Sequence, residues 1–95
     1  MYVSINHWTF KVPVADFKDG IEKELLPQLK TMPGFEHVFF VQEDKMKGAF
    51  VVVWESETAL KSAEPILGQG WFGKVAFANA EGAPVRGGGD VVAHG

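Results

Sequence analysis

The sequence predicts an α+β domain with an antiparallel sheet and its helices gathered on one face. Three observations carry this prediction. Strand-like and helix-like hydrophobic periods follow one another in the order β-α-β-β-α-(α)-β. The first and third strand segments are apolar on both faces rather than one. Breakers at Pro13, Pro33-Gly34, Gly68-Gln69-Gly70 and Gly82 to Pro84 fall between the periodic segments. That element order is the split βαβ, or ferredoxin-like, arrangement.

The first strand is expected over Tyr2 to Phe10, which is rich in β-branched and aromatic residues. Val3, Ile5, His7 and Thr9 alternate there with Tyr2, Ser4, Asn6, Trp8 and Phe10. Asp16 is placed to cap the first helix, in which Phe17, Ile21, Leu25, Leu29 and Met32 recur at near-helical spacing. Gly20 weakens that helix, Pro27 should kink it, and Pro33-Gly34 stops it. Phe35 to Gln42 and Gly48 to Glu55 form the second and third strands, joined through a turn at Glu43 to Lys47. The run Ala49 to Trp54 is continuously apolar and marks a central strand.

Ser56 offers a second cap. Ala59, Leu60, Ala63 and Leu67 line the inner side of the helix it opens, which Pro65 is expected to bend or end. A short helix with Trp71, Phe72, Val75, Ala76 and Asn79 on one face follows, closed by Gly82 and Pro84. Val85 to His94 form the last strand, where Gly87-Gly88-Gly89 suggests a bulge or bend.

With 95 residues, the chain fits a single domain over positions 1–95. Apolar residues make up 46%, with eight phenylalanines and three tryptophans, more than one thin two-layer domain easily hides. Helices cover one sheet face, so the other calls for a second covering, and the same face of a second copy is the simplest one. A homodimer is therefore expected. The net charge is −3 and Arg86 is the only arginine, which argues against nucleic-acid partners. The absence of cysteine excludes disulfides, thiolate metal sites and cysteine nucleophiles. No apolar run is long enough to span a bilayer and no signal-peptide pattern opens the chain, so a soluble cytoplasmic protein without membrane partners is expected.

The helix end Leu29 to Phe35 with its Pro33-Gly34 turn, the segment Val53-Trp54-Glu55-Ser56, the pair Trp71-Phe72 and the terminal Val91-Val92-Ala93-His94 give the chain a family likeness. It resembles the antibiotic biosynthesis monooxygenase family of the dimeric α/β-barrel superfamily, over nearly its whole length. The resemblance implies a ligand cleft between sheet and helices in each subunit. It also implies a choice: cofactor-free oxidation of quinols or polycyclic phenols, haem degradation, or no established activity. Haem-degrading relatives use an asparagine on the first strand, which Asn6 matches, a tryptophan on the second helix and a histidine on the third. Neither a tryptophan near Ala63 nor a histidine between Trp71 and Glu81 is present.

A cofactor-independent oxygenase needs only to desolvate an electron-rich substrate, help remove a proton and stabilise the resulting oxyanion. Asn6 and Trp8 share one strand face and are the candidate hydrogen-bonding and stacking groups, with His37 as general base by default. Trp54, Trp71 and Phe72 are the candidate substrate-binding wall, although aromatics more often serve a small core. The three histidines show no metal-ligand spacing, and neither metal nor cofactor is expected. The glycine run after Arg86 lacks the strand-to-helix context of a phosphate loop. The expected function is thus that of a monooxygenase-like protein acting on a quinol-like or polycyclic aromatic molecule. The alternatives are a non-catalytic binder of a small apolar ligand, and a purely structural dimeric domain.

Overall fold

Four antiparallel strands and three helical segments form a two-layer ferredoxin-like α+β fold in the computed structural model, which describes residues 1–95 throughout. Strand β1 (Tyr2–Thr9) leads into helix α1 (residues 14–30), then β2 (Phe35–Asp44) and β3 (Lys47–Trp54). Helix α2 (Glu57–Gln69), the short α3 (residues 72–79) and β4 (Val85–Asp90) complete the chain. The sheet order is β2-β3-β1-β4 with every neighbouring pair antiparallel. β1 and β2 therefore run in the same direction with β3 between them, which is the split βαβ topology.

The pairing of β1 fixes the two faces. Tyr2 opposes Trp54, Ser4 opposes Val52 and Asn6 opposes Phe50 across β3; on the other flank Asn6 opposes Arg86. Paired residues share a face, so the even-numbered residues of β1 lie under the helices. Trp8, Phe10, Phe50, Val52 and Trp54 are buried there with Phe17, Leu25, Leu29, Ala63, Leu67 and Trp71 from the helical layer. Phe40 stacks on Phe50 at 4.2 Å and Phe10 meets Phe17 at 4.6 Å, so much of this core is ring on ring.

The odd-numbered face has no helix above it. Ile5, Phe39 and Val41 are 38%, 60% and 46% exposed, and Val51, which pairs with both Ile5 and Phe39, is only half-buried, as is Val53 on the same face. Both strand faces are thus apolar, as the sequence implies, and only one is covered within the chain.

Several boundaries differ from expectation. Helix α1 starts at Val14 with Pro13 as its N-cap, and Asp16 lies inside the first turn, where its charge suits the positive end of the helix. The irregularity expected at Pro27 takes the form of a π segment at Ile21–Leu25 just before it, since proline offers no N–H to an α-type bond. Pro65 does not end α2, which runs on to Gln69 under the packing of Ala63 and Leu67. The Ser56 hydroxyl does cap that helix, accepting the Ala59 N–H at 3.2 Å. Strand β4 stops at Asp90, short of His94.

No bulge accompanies Gly87-Gly88-Gly89: their pairing with β1 runs in unbroken register from Val85 to Asp90. The glycines answer a different need. A Cβ at Gly88 would lie 2.6 Å from the Val3 carbonyl oxygen and 2.9 Å from the Tyr2 hydroxyl, so β4 reaches β1 only without a side chain there. Gly34 is constrained twice, by φ of 82° and by Ala59, whose Cβ would lie 2.6 Å from an added one.

Gly88→Ala is expected to cost about 1–3 kcal/mol, the usual cost of forced overpacking. Gly89→Ala, with nothing within 4 Å of its added carbon, should stay within about 0.5 kcal/mol. Urea denaturation of both variants checks this, and equal losses would contradict the close-approach account.

Candidate functional site

A cleft of about 460 Å³ opens between the even-numbered face of β1 and the helical layer. Its floor is the sheet: Tyr2, Ser4, Asn6 and Trp8 from β1, Val52 and Trp54 from β3, and Arg86, Gly87 and Gly88 from β4. Its roof is helical: Leu29 from α1, Leu60, Glu64 and Leu67 from α2, and Phe72 and Phe77 from α3. The volume suits a small organic ligand, and the mixture of aromatic walls with few polar groups is typical of such sites.

Strand period places the floor residues. Four successive even positions of β1 face the same way, so one eight-residue strand delivers a phenol, a hydroxyl, an amide and an indole in a row. Trp8 is held between rings: Phe10 stacks at 5.5 Å, Phe72 at 6.2 Å, and Phe77 meets it edge-on at 4.9 Å. Trp54 is fully buried and meets Phe35 edge-on at 5.9 Å.

The indole N–H groups of Trp8 and Trp54 are both buried without a hydrogen-bond acceptor. A buried donor left unpaired costs about 1–3 kcal/mol. Two such donors on residues lining one cleft are the strongest chemical peculiarity of this chain.

Of the residues singled out from the sequence, Asn6, Trp8, Trp54 and Phe72 line the cleft. Trp71 does not: it is wedged in the core against Phe17 at 5.7 Å and Phe50 at 5.8 Å. His37 does not either. It pairs with Val53 on the opposite, uncovered sheet face and is exposed there, because the irregularity between Phe35 and His37 resets the alternation of β2. His7 also lies on that face, with its Nδ1 2.9 Å from a Glu43 carboxylate oxygen.

Tyr2, Ser4, Glu64, Phe77 and Arg86 complete the cleft and were not singled out for it. Tyr2 and Ser4 share the parity of Asn6 and Trp8, so the same period-two rule was sufficient to find them. Glu64 and Arg86 come from distant elements, and no local pattern announces them.

Charge is distributed unevenly along the cleft. Partial burial, reinforced by the carboxylates of Glu57 and Asp90 and opposed by Lys61, raises the Tyr2 phenol above its ordinary 10.0. Tyr2 therefore remains a neutral O–H group at physiological pH. The chain's ion pairs are His7–Glu43, Lys18–Glu22, Lys23–Asp19 and Lys61–Glu57, so Arg86 has no carboxylate partner.

The cleft does not suit haem. None of its lining residues is a histidine, cysteine or methionine. The one remaining axial-ligand type, Tyr2, is biased toward its protonated form.

No protein-family model and no curated protein matches this chain. Solved structures do, and they are antibiotic biosynthesis monooxygenase-like proteins. SnoaB, a cofactor-independent oxygenase from Streptomyces nogalater, superposes with a TM-score of 0.78 at 14% identity, covering 98% of this chain and 94% of that one. The monooxygenase from the ActVA-Orf6 gene of Streptomyces coelicolor, solved with the ligand nanaomycin D, gives 0.62 at 16% identity, covering 98% and 92%. MhuD from Mycobacterium tuberculosis, a heme-degrader with two hemes bound in its active site, gives 0.63 at 23% identity, covering 99% and 98%. These likenesses establish the fold, and the neighbours named include both oxygenases and a heme-degrader.

The raised Tyr2 pKa has a consequence for stability. The folded state holds this proton more tightly than the unfolded state, so the associated stabilisation is present below pH 10 and is lost as pH rises through the folded value. Tyr2 is the only tyrosine, so ultraviolet difference titration reads it alone. Ionisation above 10 is expected, with a shallower alkaline stability slope in Tyr2→Phe; ionisation at or below 10 would contradict the assignment.

Proposed function

We propose that the chain is a cofactor-independent monooxygenase acting on a flat, electron-rich aromatic molecule, of the quinol or anthrone kind, bound in this cleft. One observation carries the reading: the Asn6 amide stands on the floor of a cleft lined by the rings of Trp8, Trp54, Phe72 and Phe77, in which both indole N–H groups lack an acceptor within the chain. The Asn6 amide can donate to a carbonyl or phenolic oxygen of a ligand, and Trp8, Phe72 and Phe77 are suited to hold its rings. The fold shared with SnoaB supports the reaction class, and the aromatic ligand named for the ActVA-Orf6 protein supports the ligand type.

The chemistry asks little of the protein. A methylene conjugated through the rings to a ketone, as in an anthrone, loses a proton to give an electron-rich enolate. The enolate carbon then combines with dioxygen, and loss of water leaves a new carbonyl. Two C–H bonds break, one oxygen atom enters as C=O and the other leaves as water, with the substrate supplying all four electrons. Asn6 donates to the enolate oxygen. Glu64 is the carboxylate within the cleft and takes the proton, a role His37 cannot fill from the far side of the sheet. Trp8 and Phe72 exclude water from the anion.

We propose further that two copies pair through the uncovered sheet face, forming the dimeric α/β barrel. Ile5, Phe39, Val41, Val51 and Val53 make that face apolar, and isologous pairing is the simplest way to cover it.

Oxygen uptake with an anthrone or quinol probe tests the enzymatic reading. Uptake is expected in the wild type, reduced by about 100-fold in Asn6→Ala, the scale of losing one oxyanion donor. Glu64→Gln should also slow it, whereas His37→Gln should not. Probe binding without uptake would instead favour a non-catalytic ligand-binding role. For the dimer, light scattering should give twice the chain mass of 10.4 kDa, falling to one chain mass in Phe39→Glu; a wild-type monomer at micromolar concentration would overturn the pairing.

A further inference from the structure

We infer that the cleft selects aromatic ligands that carry an anionic oxygen, a carboxylate above all, and that Arg86 is the specificity-determining residue that receives it. This deepens the functional reading above and rests on its placement of the ligand in the cleft.

Arg86 is the chain's only arginine, is solvent-exposed, and is the only cationic residue lining the cleft. It pairs with Asn6 across β1 and β4, so the two side chains leave the sheet on the same face. No carboxylate neutralises it: all the ion pairs lie elsewhere, and Glu64 on the helical roof is beyond the 4.0 Å reach of one. A guanidinium offers a planar fork of donors that matches a carboxylate in two-point contact, which a lysine would not. Gly87 and Gly88 follow it directly and put no side chain between the ligand and the strand.

The rest of the cleft gives this cation a direction. Its other end, at Tyr2, faces Glu57 and Asp90, whose carboxylates disfavour a second negative charge. Tyr2 and Asn6 are four residues apart on β1, about 13 Å at the usual rise of a strand. A flat anion of two or three rings is therefore held with its charged group at Arg86 and away from the carboxylates beside Tyr2. Shape alone would leave such a ligand free to bind in either sense.

The test compares anthracene-2-carboxylate with its uncharged isostere 2-acetylanthracene, reading energy transfer from tryptophan to bound anthracene. In the wild-type chain the acid should bind at least about tenfold more tightly than the ketone, the scale of one charge-assisted hydrogen bond. Arg86→Gln should abolish that difference, and Arg86→Lys should keep part of it. A salt series on the wild type reads the same interaction without substitution: the acid's advantage should narrow as ionic strength rises, and the ketone should not respond. Equal affinities in the wild type, or an advantage that survives in Arg86→Gln, would overturn the inference and leave the cleft a ligand site. Failure of the wild type to bind either probe would overturn the cleft reading itself, and the inference with it.

Discussion

The register of β1 is the constraint on which the rest of this structure depends. It is paired on both flanks, to β3 and to β4, and its side chains alternate between two surfaces with different tasks. A slip of one residue would send Tyr2, Ser4, Asn6 and Trp8 to the uncovered face and bring Val3, Ile5 and His7 under the helices. Burial of Trp8 and Phe10 on one side opposes that slip, and so does the aromatic block of Phe50 and Trp54 on β3. The residues that form the cleft floor are therefore positioned by the same alternation that builds the core.

Core and cleft share their aromatic residues. Trp8 and Trp54 contribute to both, at the expense of two buried N–H groups without acceptors. A purely structural core of this size would be served as well by phenylalanine, which brings the ring without the polar atom. Trp71 supplies the comparison within the chain: equally buried, it packs among Phe17, Phe50 and Phe72 and lies outside the cleft. Placement at the boundary of core and cleft distinguishes the other two.

Much of the fold was legible because it follows from short-range patterns. The alternation of β1, the continuous apolar run Ala49 to Trp54, the Ser56 cap and the Pro33-Gly34 turn each act within a few residues, and each is present in the structure. Less legible were features set by other parts of the chain. The glycines of β4 reflect the approach of Val3 and Tyr2 rather than a bulge, and the packing of α2 carries that helix past Pro65. The cleft divides in the same way. Asn6 and Trp8 share a strand face that parity reveals, whereas Glu64 and Arg86 meet them only through tertiary structure. His37, a candidate base by default rather than by pattern, lies on the other sheet face because of a register irregularity at the start of β2.

The most direct test of the central claim, that Trp8 and Trp54 wall a ligand site and Trp71 does not, is a nuclear magnetic resonance titration of the indole N–H signals. The chain has three tryptophans, so three resolvable resonances report on it, assigned by single Trp→Phe substitutions. On addition of an anthraquinone-type ligand, the Trp8 and Trp54 signals should move as its rings pack into the cleft they line, with Trp71 nearly still. Three stationary signals, or movement confined to Trp71, would contradict the account.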